Sequence, residues 1–344
     1  MEQSRRMLAW LAMHRSFRLF LIVAIFAAGI GSRLAGAYFA RLGTYLFSED
    51  LIVLHDAAQF ALEGKDVYAI TLQTWPINQF LAYPAGILWM SVGMLELSSF
   101  TGISFLYTAQ SFATAFDTTI AILVLMALRS EPFYRKIMGL LLAFFNPFLF
   151  WNTVYAVKPE DTFMLALTLG ALCLLEMSKF GKASVVMGVA LASKPFPVLL
   201  LPYFVYRIAA GRRKRCILYL AAAFATASLP YIVTEPVSYL TASFLVHVSR
   251  PAESEIRNPF IGLLTLRPDL ATHILVLAIL LAVIALIYLE FSGVDSYTFT
   301  FLMAFAFVSF YWVAGQQYFT WFVPFVIVSV LKRMGHDQVS ESLR

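Results

Sequence analysis

The chain has 344 residues, 60% hydrophobic and 13% charged, with a formal net charge of +5 and a mean hydropathy of +0.78. That composition excludes a water-soluble domain, because apolar runs near the length needed to cross ~30 Å of hydrocarbon recur from end to end. The excess of Lys and Arg reads as loop charge on the cytoplasmic side of a membrane, not as a nucleic-acid surface. No polar stretch could form a second domain, so residues 1–344 read as one membrane-embedded unit, an all-α polytopic bundle.

The N-terminus, MEQSRRMLAWLAMHRSFR, is basic and runs into a full span without a small-residue cleavage site, which predicts an anchor rather than a removed signal peptide. The ten expected crossings cover approximately residues 19–40, 104–128, 137–154, 162–178, 183–193, 196–206, 217–234, 271–290, 298–314 and 318–331. Leu81–Leu97 is apolar as well. As a further span it would put Arg212-Arg213-Lys214-Arg215 on the side opposite Arg5 and Arg6. As a half-embedded helix at the outer surface it leaves both clusters, both termini and most of the 25 Lys and Arg inside. The second arrangement is therefore expected, with long outer loops at 41–103 and 235–269. The runs 183–193 and 196–206 are too short to cross at ~1.5 Å per residue. They predict a hairpin whose tip, Ser193-Lys194-Pro195-Phe196-Pro197, enters an outward-facing cavity, since broken backbone at membrane depth needs protein or water around it. Cys173 and Cys216 give no disulfide or metal spacing, and His273 and His336 show no ligand spacing. No HExxH, CxxC, GxSxG, Walker or GxGxxG pattern is present.

The first outer loop carries Asp50-Leu-Ile-Val-Leu-His-Asp56-Ala-Ala-Gln-Phe-Ala-Leu-Glu63-Gly64. This predicts a short amphipathic helix stopped by Gly64, with Asp50 at its N-terminal edge, where free amides stabilise a carboxylate. A plain helix cap on a solvated loop is the alternative for Asp50. Arg33 and Lys194 lie at or within apolar runs, where an ionised group faces a partner or a cavity. Snorkelling to the interface is the ordinary reading of Arg33, and Asp117, mid-helix, reads as an interhelical hydrogen-bond partner. In the second outer loop His247 and Arg250 are three apart and share a helix face. The last outer turn, Gln316-Gln317-Tyr318-Phe319-Thr320-Trp321, sets amides beside aromatic rings that an interfacial belt alone could explain. Cations gathered near an outer leaflet suit an anionic lipid headgroup.

Four of these segments, in order, resemble the GT-C class of integral-membrane glycosyltransferases, most closely the enzymes that add the first mannose of GPI anchors and the polyprenyl-phosphomannose-dependent mannosyltransferases. They are Asp50 with Asp56-Ala-Ala-Gln-Phe, Glu-Gly and Tyr68, followed by Tyr83-Pro84; Phe145-Asn146-Pro147 with Pro159-Glu160-Asp161; Phe244-Leu-Val-His247-Val-Ser-Arg250 through Arg257-Asn258; and Gln317-Tyr318-Phe319-Thr-Trp321. The resemblance implies an inverting transfer of a sugar, mannose first among candidates, from a polyprenyl-phosphate donor to a lipid-linked or glycolipid acceptor. Asp50 would be the base. Lys194, Arg250, His247 and Arg33 would hold the donor phosphate. Glu49, Asp56, Asp161, Asn258, Gln317 and Tyr318 would contact sugar or acceptor. The partners implied are the donor, the acceptor and the bilayer, with no nucleic acid.

No cofactor is expected to be required. Ser48 stands at the first acidic position of the family's Asp-x-Asp, with Glu49 beside it, which weakens the case for a divalent metal there. Lys158-Pro159-Glu160 departs from the small and amide residues that precede the family's second Asp. The expected location is a prokaryotic plasma membrane, with both termini cytoplasmic and the active site on the outer face. A transporter or lipid flippase is the competing class, and a catalytically idle glycosyltransferase subunit is a third that the retained Asp50 disfavours.

Overall fold

A backbone surrounded by hydrocarbon must satisfy its own N–H and C=O groups, which a helix does within one segment. The computed structural model describes residues 15–42, 49–74, 81, 83–246, 270–310 and 316–342, and every regular element among them is helical. In chain order these are α1 Arg15–Leu42, α2 Glu49–Leu62, α3 Val67–Thr74, α4 Ala85–Thr101, α5 Phe105–Ala127, α6 Phe133–Phe144, α7 Pro147–Val154, α8 Pro159–Glu176, α9 Phe180–Leu191, α10 Leu201–Arg207, α11 Arg213–Thr234, α12 Pro236–Leu240, α13 Leu270–Phe291, α14 Ser296–Phe310 and α15 Val323–Ser342. Short 3-10 turns at Phe196–Leu200 and Gln316–Trp321 precede α10 and α15.

Helices stand at the expected crossings, but by length and composition only three among the described residues can cross a membrane alone: Ser16–Ala40, Phe105–Ala127 and Ala210–Thr234. The α6–α7 pair makes a fourth if it counts as one bent span, with a bend of 41°. The bend has a local cause. Pro147 has no N–H to give the preceding turn, and the Asn146 side chain instead caps α7, accepting from the amides of Phe148 at 2.9 Å and Leu149 at 3.3 Å. The expected loop helix is α2. It ends as anticipated at Gly64, whose φ of +73° lies in the left-handed region that glycine enters freely.

Polar contacts sort the helix termini into two ends. At one, Arg18 lies over Phe133, Arg212 lies over Phe180, and Glu176 meets both Arg207 and Ser296. This basic end unites the starts of α1, α6, α9, α11 and α14. At the other end, His55 of α2 packs on Phe105 of α5, and the Gly86 amide of α4 donates to the carbonyl of Ala192 just past α9. Two apolar clusters follow the same division. The larger is built mainly on α5, α6, α8, α9, α14 and α15. The smaller joins the loop helices α2, α3 and α4 to Val154, Val157 and Tyr239.

Between α1 and the α5–α7 layer a fully buried guanidinium–carboxylate pair replaces apolar packing. Arg33 Nε donates to Asp117 Oδ2 at 2.7 Å, and its Nη1 donates to the carbonyls of Phe144 at 2.9 Å and Gly29 at 3.2 Å. Thr153 donates to the same Asp117 oxygen at 2.6 Å. Asp117 is thus the interhelical partner anticipated. Arg33 is buried on it, so its position is explained without a phosphate. Breaking one side of such a pair costs about 3–5 kcal/mol, whereas replacing both sides with apolar groups is often near neutral. Arg33→Met should therefore lower the unfolding temperature in detergent sharply, and Arg33→Met with Asp117→Leu should restore most of it. A double variant as unstable as the single would show that the pair does not act as a unit.

Candidate functional site

The seam between the two apolar clusters gathers charge from three distant stretches of chain and aromatic side chains from two more. The first is the entry to α8. After α7 the chain turns so that the Lys158 amide donates to the Asn152 carbonyl at 3.0 Å. Val157 takes a φ of +46° to do so. A β-branched side chain in that region costs about 1–3 kcal/mol and persists only where surroundings enforce it. Pro159 then starts α8, where a missing N–H costs nothing, and Glu160 and Asp161 fall in its first turn.

Lys158 reaches back to α2, and its ammonium contacts Asp50 Oδ2. Lys158 is nearly buried while the Asp50 side chain remains 39% exposed, so the carboxylate is tethered from inside and open outside. Asp161 is fully buried. Its Oδ1 accepts from the Lys194 ammonium and from Trp321 Nε1 at 3.0 Å. Lys194 stands where α9 breaks, just before Pro195, at the hairpin tip expected from sequence. Its ammonium lies 4.6 Å from the centre of the Tyr83 ring and 5.6 Å from that of Trp321, within the range of cation–π attraction. Burial pushes the Tyr83 phenol well above its ordinary value although Lys194 pulls the other way, so the hydroxyl stays protonated.

Glu160 is the unusual member. It is 1% exposed, and neither of its oxygens accepts a hydrogen bond among the described residues; Asp161 Oδ2 lacks one too. Buried polar atoms are nearly always hydrogen-bonded, so such exceptions need a reason. A cavity of about 270 Å³ adjoins the cluster. Tyr83, Lys194, Tyr318 and Trp321 form its polar lining, and side chains such as Phe196, Leu280, Ile284 and Phe307 make the rest apolar.

Of the residues nominated from sequence, the structure joins Asp50, Asp161, Lys194 and Tyr318 to this region. Glu49 begins α2 beside Asp50, and Gln317 lies in the turn with Tyr318. Asp56 is half-exposed and contacts only its neighbour His55 at 3.0 Å among the described residues. His247, Arg250 and Asn258 lie outside the described residues. Lys158 and Glu160 are site members that sequence reasoning does not nominate, although their appearance in place of small and amide residues is the visible signal. Trp321 and Tyr83 enter that reasoning only as parts of motifs.

Close packing sets this geometry. A Cβ on Gly86 would stand 2.6 Å from the Ala192 carbonyl oxygen, whereas one on Gly93, further along α4, would meet nothing within 4 Å. Gly86→Ala must push α4, and Tyr83 with it, away from the Lys194 turn, at a cost of about 1–3 kcal/mol. Gly93→Ala should be neutral or stabilising by up to ~1 kcal/mol. Thermal unfolding of the two variants checks this, and equal stabilities would contradict the contact.

Neither a protein-family profile nor a curated protein sequence matches this chain, so its function is read from its own residues.

Proposed function

We propose that this protein is an inverting glycosyltransferase of the GT-C type. It moves a sugar, with mannose the first candidate, from a polyprenyl-phosphate donor to a lipid-linked acceptor at the membrane surface. The observation that carries the reading is the meeting, at one end of the bundle, of a tethered and accessible carboxylate, a buried cluster of acids and lysines, and an apolar cavity. A donor of this class has one apolar part and one anionic sugar-bearing part, and the cavity matches both. Its tail would lie along the Phe196 and Leu280 side, with the phosphate towards Lys194.

The acceptor hydroxyl oxygen forms a bond to the anomeric carbon from the face opposite the phosphate. The bond from that carbon to the phosphate oxygen breaks, and its electron pair leaves with polyprenyl phosphate. The hydroxyl proton passes to Asp50, whose Oδ2 is held by Lys158 and whose exposed side faces the acceptor. Charge growing on the phosphate is stabilised by Lys194, which Asp161 and Trp321 orient. Following the resemblance, His247 and Arg250 assist there. Glu160 supplies two oxygens without protein partners among the described residues, suited to accept from sugar hydroxyls.

The same reading places this end on the outer or lumenal face, with the Arg212–Arg215 end in the cytoplasm. Ten membrane segments, some short and paired, follow from it. A flippase would instead be expected to hold mobile charge at mid-membrane, and the pair that could serve, Arg33 and Asp117, is locked between helices.

Two experiments bear on this. Purified protein incubated with a panel of polyprenyl-phosphate sugars and acceptor lipids should release polyprenyl phosphate from one of them. Asp50→Asn should slow that release by a factor on the order of a hundred or more while donor binding is kept; wild-type turnover in this variant would falsify the assignment. Single cysteines beside Lys65 and beside Arg213 should label from opposite faces, the first from outside. Labelling of both from one face would remove the topology.

A further inference from the structure

The basic end of the bundle holds a crevice that plays no part in the chemistry above. It has a volume of about 510 Å³ and lies between the start of α9 and the start of α11. Arg212, Lys214 and Arg215 line it together with Phe180 and Tyr219, and no acidic residue does. The Arg212 guanidinium is 5.7 Å from the centre of the Phe180 ring, which gives it a fixed platform. The neighbouring Arg213 is engaged elsewhere, donating to the carbonyls of Ile208 and Tyr206, each at 3.0 Å. Glu176, the acid on the adjacent end of α8, is held by Arg207 and Ser296. Three exposed cations thus face one concave space without a carboxylate among its lining residues.

The surface that continues from the crevice decides the ligand class. Along α11 the next residues are Ile217, 46% exposed, and Leu218, 65% exposed, and this helix is long and apolar enough to cross a membrane. Tyr219, half-exposed, stands on the crevice wall itself. A soluble anion would leave that apolar strip bare. A molecule with a phosphate on the cations and acyl chains along Leu218 and Ile217 would use both.

We propose that this crevice binds the headgroup of an anionic phospholipid in the leaflet opposite the Asp50 site. Basic pockets beside membrane helices hold such headgroups. The site is independent of the glycosyl-transfer reading.

The test compares lipid retained by the purified protein in detergent, measured by native mass spectrometry with phosphatidylglycerol, phosphatidylcholine or inorganic phosphate added. Wild type should retain phosphatidylglycerol over phosphatidylcholine, and phosphate should not displace it. Arg212→Gln with Lys214→Gln and Arg215→Gln should lower retention roughly tenfold or more. Arg129 just past α5, Lys136 in the first turn of α6 and Arg333, beside the Lys332 that lies over Tyr297 at the start of α14, are at the same end but outside the crevice lining. Arg129→Gln with Lys136→Gln and Arg333→Gln removes as many charges and should leave retention unchanged. Equal loss in the two charge variants, or displacement of the lipid by phosphate, would each overturn the proposal.

Discussion

An ammonium group taken out of water needs a carboxylate within reach, and Lys194 has Asp161. Much of the site's architecture follows from that requirement. Lys194 belongs to the break after α9 and Asp161 to the first turn of α8, so these antiparallel neighbours must meet at one level. Trp321 donates to the same carboxylate oxygen and brings the turn before α15 to that level. Gly86, which packs directly on the Ala192 carbonyl, brings α4 and Tyr83. Neutralisation of one buried charge therefore aligns elements separated by more than two hundred residues of chain.

The arrangement also explains why the site falls between two apolar clusters. Side chains within either cluster are packed mainly against like neighbours, where a charge needs a partner as close as Asp117 is to Arg33. At the seam the helices end, and their backbone polarity already requires satisfaction by polar partners or water. The loop helices α2 to α4 form a separate apolar layer. Asp50 stands on that layer and Asp161 on the membrane bundle, so the two carboxylates can have different exposure although both contact lysines.

Much of the helical framework is legible in the sequence because it depends on local rules. Gly64 ends α2 and Asn146-Pro147 divides α6 from α7 for reasons written within a few residues. Proline after Lys194 likewise predicts the break in the hairpin. Helix length is less legible. The apolar run at 162–178 looks like a crossing, but a run of apolar residues reports burial without saying whether lipid or protein surrounds it. Partner choice is the least legible. Asp117 can be recognised as a residue needing a donor, but nothing in the spacing names Arg33, 84 positions earlier. Lys158 looks like an outer-loop charge and Glu160 like a departure from a family pattern. Their meaning depends on α2 folding back over the start of α8, a contact between segments about a hundred residues apart that no periodicity encodes.

The left-handed turn at Val157 has a mechanical consequence. Its backbone is held against its own preference by what lies on either side, the Asn152 carbonyl behind it and the Lys158 contact with Asp50 ahead. The strain held there fixes the direction in which the chain enters α8, so the first-turn acids Glu160 and Asp161 keep one orientation relative to the carboxylate on α2.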